Sequence, residues 1–280
     1  MTPLSVAISE LLDRHAGVLL DAYGVLVDAR GALPAAAPLI AELERRGLPW
    51  AVVTNDASRS PATYERRFAA MGLPIPAARV VTSGGLLPGH FRDHGLAGAR
   101  TCVLGTDDSR AFVREGGGIV VELAPGMAIE ALAVCDDDGF PFQHGVEIAL
   151  SAVIHAVEAG RRPAMLLPNP DLCYPKGDGE VGITAGAMAL VIEAALARRF
   201  PQLALRFVHL GKPEPHLFVE AAHRLGLPIE RLVMIGDQLE TDIAGARAAG
   251  LDAALVAGVS RWTPERTGPA PTWLLDSLAL

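Results

Sequence analysis

Cysteine is scarce in this 280-residue chain. Cys102, Cys135 and Cys173 are odd in number, widely spaced and lack the paired spacing of a metal site. That pattern argues against a disulfide scaffold and for buried free thiols. A Lys/Arg-rich stripe is missing too: 24 basic residues against 32 acidic ones leave a formal charge of −8, so nucleic acid is not the expected partner. The longest apolar stretch, Ile183 to Ala197, is interrupted by Glu193 and falls short of the roughly 20 residues that span a bilayer. The first residues, Met1 Thr2 Pro3 Leu4 Ser5, show no basic region followed by an apolar core, so a secretory signal is not read and a cytoplasmic protein without membrane association is expected. Aromatic residues make up 5% of a chain that is 50% hydrophobic, which predicts a core of aliphatic side chains and alanine.

What is present is a set of four polar motifs, each placed where an apolar run ends. Gly17 Val18 Leu19 Leu20 leads into Asp21 Ala22 Tyr23 Gly24, and Trp50 Ala51 Val52 Val53 into Thr54 Asn55 Asp56. Phe207 Val208 His209 Leu210 leads into Gly211 Lys212 Pro213, and Leu232 Val233 Met234 Ile235 into Gly236 Asp237, with Thr241 Asp242 shortly after. Parallel strands deliver their carboxyl ends to one edge, where ligands of open α/β sheets bind. A carboxylate held there is placed to act as a nucleophile. Singly, each motif reads as a turn residue, a helix cap or a surface charge. Together, a carboxylate, a hydroxyl with an amide, a lysine and an acidic pair suit a dianionic phosphoryl group with a divalent cation.

In this order the motifs resemble those of the haloacid dehalogenase (HAD) superfamily of hydrolases. The stretches Thr54 to Ser60, Val81 Thr82 Ser83 Gly84, Asn169 Pro170 Asp171, Gly211 Lys212 Pro213 and Gly236 Asp237 through Asp242 look like its class IIA branch, which includes nitrophenylphosphatase-like enzymes. The resemblance implies a phosphatase of small phosphorylated metabolites that works through an aspartyl phosphate. Asp21 would be the nucleophile. Mg²⁺ would be held by Asp21, the Tyr23 carbonyl and Asp237, with Asp242 acting through its water shell. Lys212, Thr54 and Asn55 would bind the phosphoryl group, and Asn169 and Asp171 would reach the substrate unless Asn-Pro-Asp is a plain turn. A homodimer stays open.

One position departs from the phosphatase pattern. Tyr23 stands where these enzymes carry the acid–base aspartate, and a phenol with an ordinary pKa of about 10 is a poor base near neutrality. Slow turnover of alkyl phosphates is the expected result. Asp21 Ala22 Tyr23 Gly24 also looks like the first motif of the true haloacid dehalogenases, which need no metal. Dehalogenation and a catalytically impaired phosphoryl-binding protein are therefore the alternatives. The acidic pair Asp237 and Asp242 favours the phosphatase, because without a cation it would repel a haloacid's carboxylate.

Length and spacing predict two domains. Helices are expected over Pro38 to Arg46, stopped by Gly47, and from Pro61 to Gly72, with Tyr64, Phe68 and Met71 facing inward. Strands alternating with helices describe a doubly wound parallel sheet. About a hundred residues separate its halves, far beyond an ordinary crossover. The predicted architecture is a HAD-like core of residues 1–87 and 206–280 with an inserted α/β cap of residues 88–205. Within the insertion, Asp136 Asp137 Asp138 Gly139 lacks the ligand pattern of a calcium loop and reads as a solvated turn.

Overall fold

The computed structural model describes residues 3–177, 179–256, 260–266 and 268–280. The chain divides into two compact units, one of residues 1–54, 61–81 and 212–280, the other of residues 55–60 and 82–211. Among the described residues, no helix is long and apolar enough to cross a membrane.

The first unit is built on a seven-stranded sheet. Its strand order is Leu4–Ser5, Trp273–Leu275, Asp252–Val256, Leu232–Gly236, Gly17–Leu20, Trp50–Thr54, Val80–Thr82. The interior strand Gly17–Leu20 pairs in parallel with Leu232–Gly236 on one side and Trp50–Thr54 on the other, so that Leu20 lies opposite both Ile235 and Val52. All four residues of this strand are buried, as expected for a parallel sheet covered on both faces. Val18 and Leu20 join Leu39, Leu43, Trp50 and Phe68 in one apolar cluster. The predicted helices are present as Ala36–Arg46 and Pro61–Ala70. Gly47 ends the first in the left-handed region at φ 62°, where its backbone N–H closes onto Leu43 and Glu44.

The second unit has its own five-stranded parallel sheet, ordered Val208–His209, Ala164–Leu167, Ala131–Val134, Arg100–Leu104, Ile119–Val120. Cys102, Leu104, Leu132, Val134, Met165 and Leu167 pack with residues of the helices Phe142–Glu158 and Ala185–Arg199. Val103, Ala133 and Leu166, alternating with them, pack with Phe91, Phe112 and Val113. An antiparallel hairpin, Cys173–Gly177 with Glu180–Ile183, stands apart from this sheet.

Two expectations need correction. The strand before Lys212 does not extend the sheet that carries Asp21; Val208 and His209 pair with Leu166 and Leu167 of the second unit. Phe207 and Leu210 are buried in that unit's own clusters, which is where their apolar surface goes. Lys212 is the first residue of the chain's return to the first unit. The thiols also differ: Cys102 and Cys135 are buried as expected, but Cys173 is exposed on the hairpin.

Candidate active site

Residues from all four sequence motifs lie in the first unit. Asp21 follows the strand Gly17–Leu20, and its backbone N–H donates to Ile235 O across the neighbouring strand at 3.0 Å. Thr54 is the buried last residue of the strand on the other side. Lys212 is 2% exposed, and its Nζ donates to Asp21 Oδ1 at 2.7 Å, to Asp242 Oδ1 at 2.6 Å and to Val53 O at 3.3 Å. The other Asp242 oxygen, Oδ2, accepts the backbone N–H groups of Asp237 and Gln238 at 3.2 and 3.1 Å. Both oxygens of Asp242 thus hold parts of the protein in place, one the lysine and one the turn that presents Asp237.

Asp21, Asp237 and Asp242 each bring a carboxylate oxygen within 4.8 Å of the others, and all three are buried. Burial raises the Asp21 carboxyl well above its ordinary range; Asp242 and Asp237 raise it further, and Lys212 opposes them. The lysine's pKa is raised. Burial pushes it down, but Asp21 and Asp242 together outweigh that effect and hold it as an ammonium. Three buried carboxylates beside one ammonium are short of positive charge, and an all-oxygen acidic donor set is what a hard divalent cation takes. The residues present therefore fit such an ion, with Asp21 and Asp237 the side chains best placed to hold it. Gly24 helps to admit Asp237: its φ is 90°, and a Cβ there would lie 2.2 Å from Asp237 Oδ2.

Tyr23, half-buried, packs partly on the core. Burial and then the Asp28 carboxylate raise its phenol pKa, offset in part by Arg67 and a hydrogen bond from the Ala29 backbone. A phenol with a raised pKa keeps its proton more firmly, so still less phenolate is available to act as a base near neutral pH.

The remaining predicted residues lie in the second unit. Asn55 Nδ2 donates to Asp171 Oδ1 at 2.9 Å, and Asn169 Oδ1 accepts the Asp171 N–H at 3.1 Å, which closes a turn. Asp56, next to Asn55, accepts from the Ser58 N–H, the Ser58 hydroxyl and Arg59, and so shapes the bend into the helix that follows. Two contributors belong to the quoted motifs but carry no site role in the sequence reading. Ser83 is fully buried and its Oγ donates to Asn55 O at 2.6 Å; a buried hydroxyl after an apolar Val-Val-Thr run was the available signal. Gly24 was visible as the glycine of the first motif, but its closeness to Asp237 was not.

Comparison with known proteins agrees with this geometry. A family profile described as haloacid dehalogenase-like hydrolase matches residues 18–118, and a HAD-hydrolase-like profile matches residues 209–280. Human chronophin is 30% identical over 91% of this chain and 86% of its own. The chain belongs to the haloacid dehalogenase-like hydrolases. Within them it falls in the class IIA branch. This hydrolase is also 27% identical to a dihydroxyacetone phosphatase of Corynebacterium glutamicum, over 93% of this chain and 88% of the relative. Among solved structures, a possible sugar phosphatase of the HAD superfamily from Cytophaga hutchinsonii superposes with a TM-score of 0.83 at 27% identity, covering 100% of this chain and 99% of the other.

Proposed function

We propose that this hydrolase is a Mg²⁺-dependent phosphatase of a small phosphorylated metabolite. The observation that carries the reading is the buried grouping of Asp21, Asp237 and Asp242 around the Lys212 ammonium. Asp21 attacks phosphorus; its oxygen forms the new P–O bond while the bond to the leaving oxygen breaks, giving an aspartyl phosphate. Water then cleaves that acyl phosphate, releasing inorganic phosphate and restoring the Asp21 carboxylate. Asp21, Asp237 and the Tyr23 carbonyl would hold Mg²⁺, which when bound offsets the negative charge of phosphoryl group and carboxylates. Lys212 keeps Asp21 oriented and offers positive charge to the phosphoryl oxygens, and Thr54 and its chain neighbour Asn55 donate hydrogen bonds to them. Asp242, with both oxygens engaged, positions Lys212 and the Asp237 turn. The insertion of residues 88–205, which lies within the second unit, is assigned the selection of the substrate.

Tyr23 supports a restriction on leaving groups. Losing a placed acid–base group costs on the order of 10²–10⁴ in rate, so phenolates, which depart without a proton, are favoured over alkoxides. The Asp21 Ala22 Tyr23 Gly24 string also favours a dehalogenase reading, but three buried carboxylates disfavour an anionic haloacid. The deciding experiment is phosphate release from an aryl phosphate by wild type and Asp21→Asn. Release that disappears with EDTA and in the variant is expected. Equal release by wild type and variant, or halide release from a short haloacid without metal, overturns the reading.

A further inference from the structure

We infer that Asp171 is a positioning residue that acts through Asn55, fixing which end of the Asn55 amide is offered to the phosphoryl group. The inference rests on the phosphatase reading for the role of Asn55, whereas the contact itself lies wholly within the second unit. An ionised carboxylate only accepts hydrogen bonds, so Asp171 Oδ1 at 2.9 Å requires the amide nitrogen, not the amide oxygen, to face it. In the phosphatase reading Asn55 serves as a donor to phosphoryl oxygens, which only the nitrogen of its carboxamide can do.

Both partners are fastened so that this orientation is preset. Asn55 is 4% exposed; Ser83 Oγ holds its carbonyl at 2.6 Å. On the other side of the amide, Gly211 leaves room: a Cβ there would lie 2.6 Å from Asn55 Oδ1 and 2.3 Å from Pro168 O. Asp171 is held through its backbone. Its N–H donates to Asn169 Oδ1, and its carbonyl accepts the Gly186 N–H at 3.0 Å. Gly186 allows that approach because a side chain would meet Pro170 O at 2.3 Å and Asp171 O at 2.6 Å. The next carbonyl, Leu172 O, accepts from Thr184 N at 3.0 Å. The Asn-Pro-Asp turn is therefore a bracket tied to the start of the helix Ala185–Arg199, with one carboxylate directed at Asn55.

A residue that touches the leaving group and one that acts through Asn55 leave different kinetic marks. Acting through Asn55, Asp171→Ala lowers kcat/KM on the order of 10–100-fold, by the same factor for an aryl and an alkyl phosphate, since both carry the same phosphoryl group. In an Asn55→Ala background the same substitution changes little, because the group it orients is gone. Asp171→Asn, which still offers an oxygen to Asn55 Nδ2, rescues most of the rate, whereas a carboxylate needed for its charge at the substrate is not rescued. Losses that differ by more than about tenfold between the two esters, full additivity in the double variant, or no rescue by Asn overturns the proposal. Wild type inactive on both esters defeats the phosphatase reading instead. The contact is then judged by NMR of the wild-type protein with Mg²⁺ and inorganic phosphate: slowly exchanging Asn55 side-chain amide protons are expected, and freely exchanging ones overturn the pairing.

Discussion

The Lys212 ammonium donates to the Asp21 carboxylate at 2.7 Å, with both side chains almost entirely removed from solvent. A buried charge pair contributes little net stability while intact, but removing one partner strands the other at a cost of about 3–5 kcal/mol. Here the stranded partners are two, because Asp242 Oδ1 shares the same Nζ. Lys212→Met is therefore expected to lower stability by at least that amount near neutral pH and to abolish phosphate release. Added Mg²⁺ should raise its melting temperature more than that of wild type, since the cation replaces missing positive charge. Urea unfolding with and without Mg²⁺ checks this; an unchanged midpoint contradicts the charge accounting.

Gly24 gives a second test, through space rather than charge. Its φ of 90° and the 2.2 Å separation between an added Cβ and Asp237 Oδ2 leave no room for a side chain. Gly24→Ala is expected to cost about 1–3 kcal/mol in backbone strain and, by displacing Asp237, to weaken Mg²⁺ binding by about tenfold or more. Isothermal titration with Mg²⁺ reads the second effect separately from folding. Wild-type affinity in a folded variant would place the cation away from Asp237.

Much of this arrangement was legible before the structure. The strand ends at Asp21, Thr54 and Asp237 could be read because continuous apolar runs stop there, and buried parallel strands write themselves into sequence that way. The run before Lys212 misled for the same reason. Phe207 and Leu210 are apolar because they fill the second unit's core, and hydrophobicity does not say which of two parallel sheets a strand joins. Turn residues such as Asn169 and Asp171 were visible as a motif, but the Asp171 contact spans 116 residues of sequence, and local chemistry carries no trace of such a partner. The Asp136 Asp137 Asp138 run shows the limit for charges: the reading was a solvated turn, yet only Asp138 of the three is exposed.

Tyr23 bears on turnover directly. If its phenol limits the departure of poor leaving groups, Tyr23→Asp restores a carboxyl at the acid–base position and should raise kcat on an alkyl phosphate by at least tenfold, with a smaller gain on an aryl phosphate. The difference between the two esters is the informative quantity. An equal gain on both would assign the slow step to hydrolysis of the aspartyl phosphate, and no gain on either would remove Tyr23 as the cause of slow turnover.

Asp136, in the second unit, offers a pH test on a residue that is not among the proposed cation ligands. Burial and the nearby Asp56 carboxylate push its pKa from 3.8 to about 6, despite hydrogen bonds from the Asp138 backbone and Ser58. A carboxyl whose pKa is higher in the folded chain than in the unfolded one favours folding while protonated. Its contribution is fully present below about pH 4 and is lost as pH rises through 6. Asp136→Asn keeps an acceptor for the Asp138 N–H and carries no charge. It should leave stability unchanged at pH 4 and raise it by roughly 1–3 kcal/mol at pH 8. Urea unfolding at the two pH values decides the point: a gain that is the same at both would come from packing rather than from the buried charge, and a gain confined to pH 4 would reverse the sign argued here.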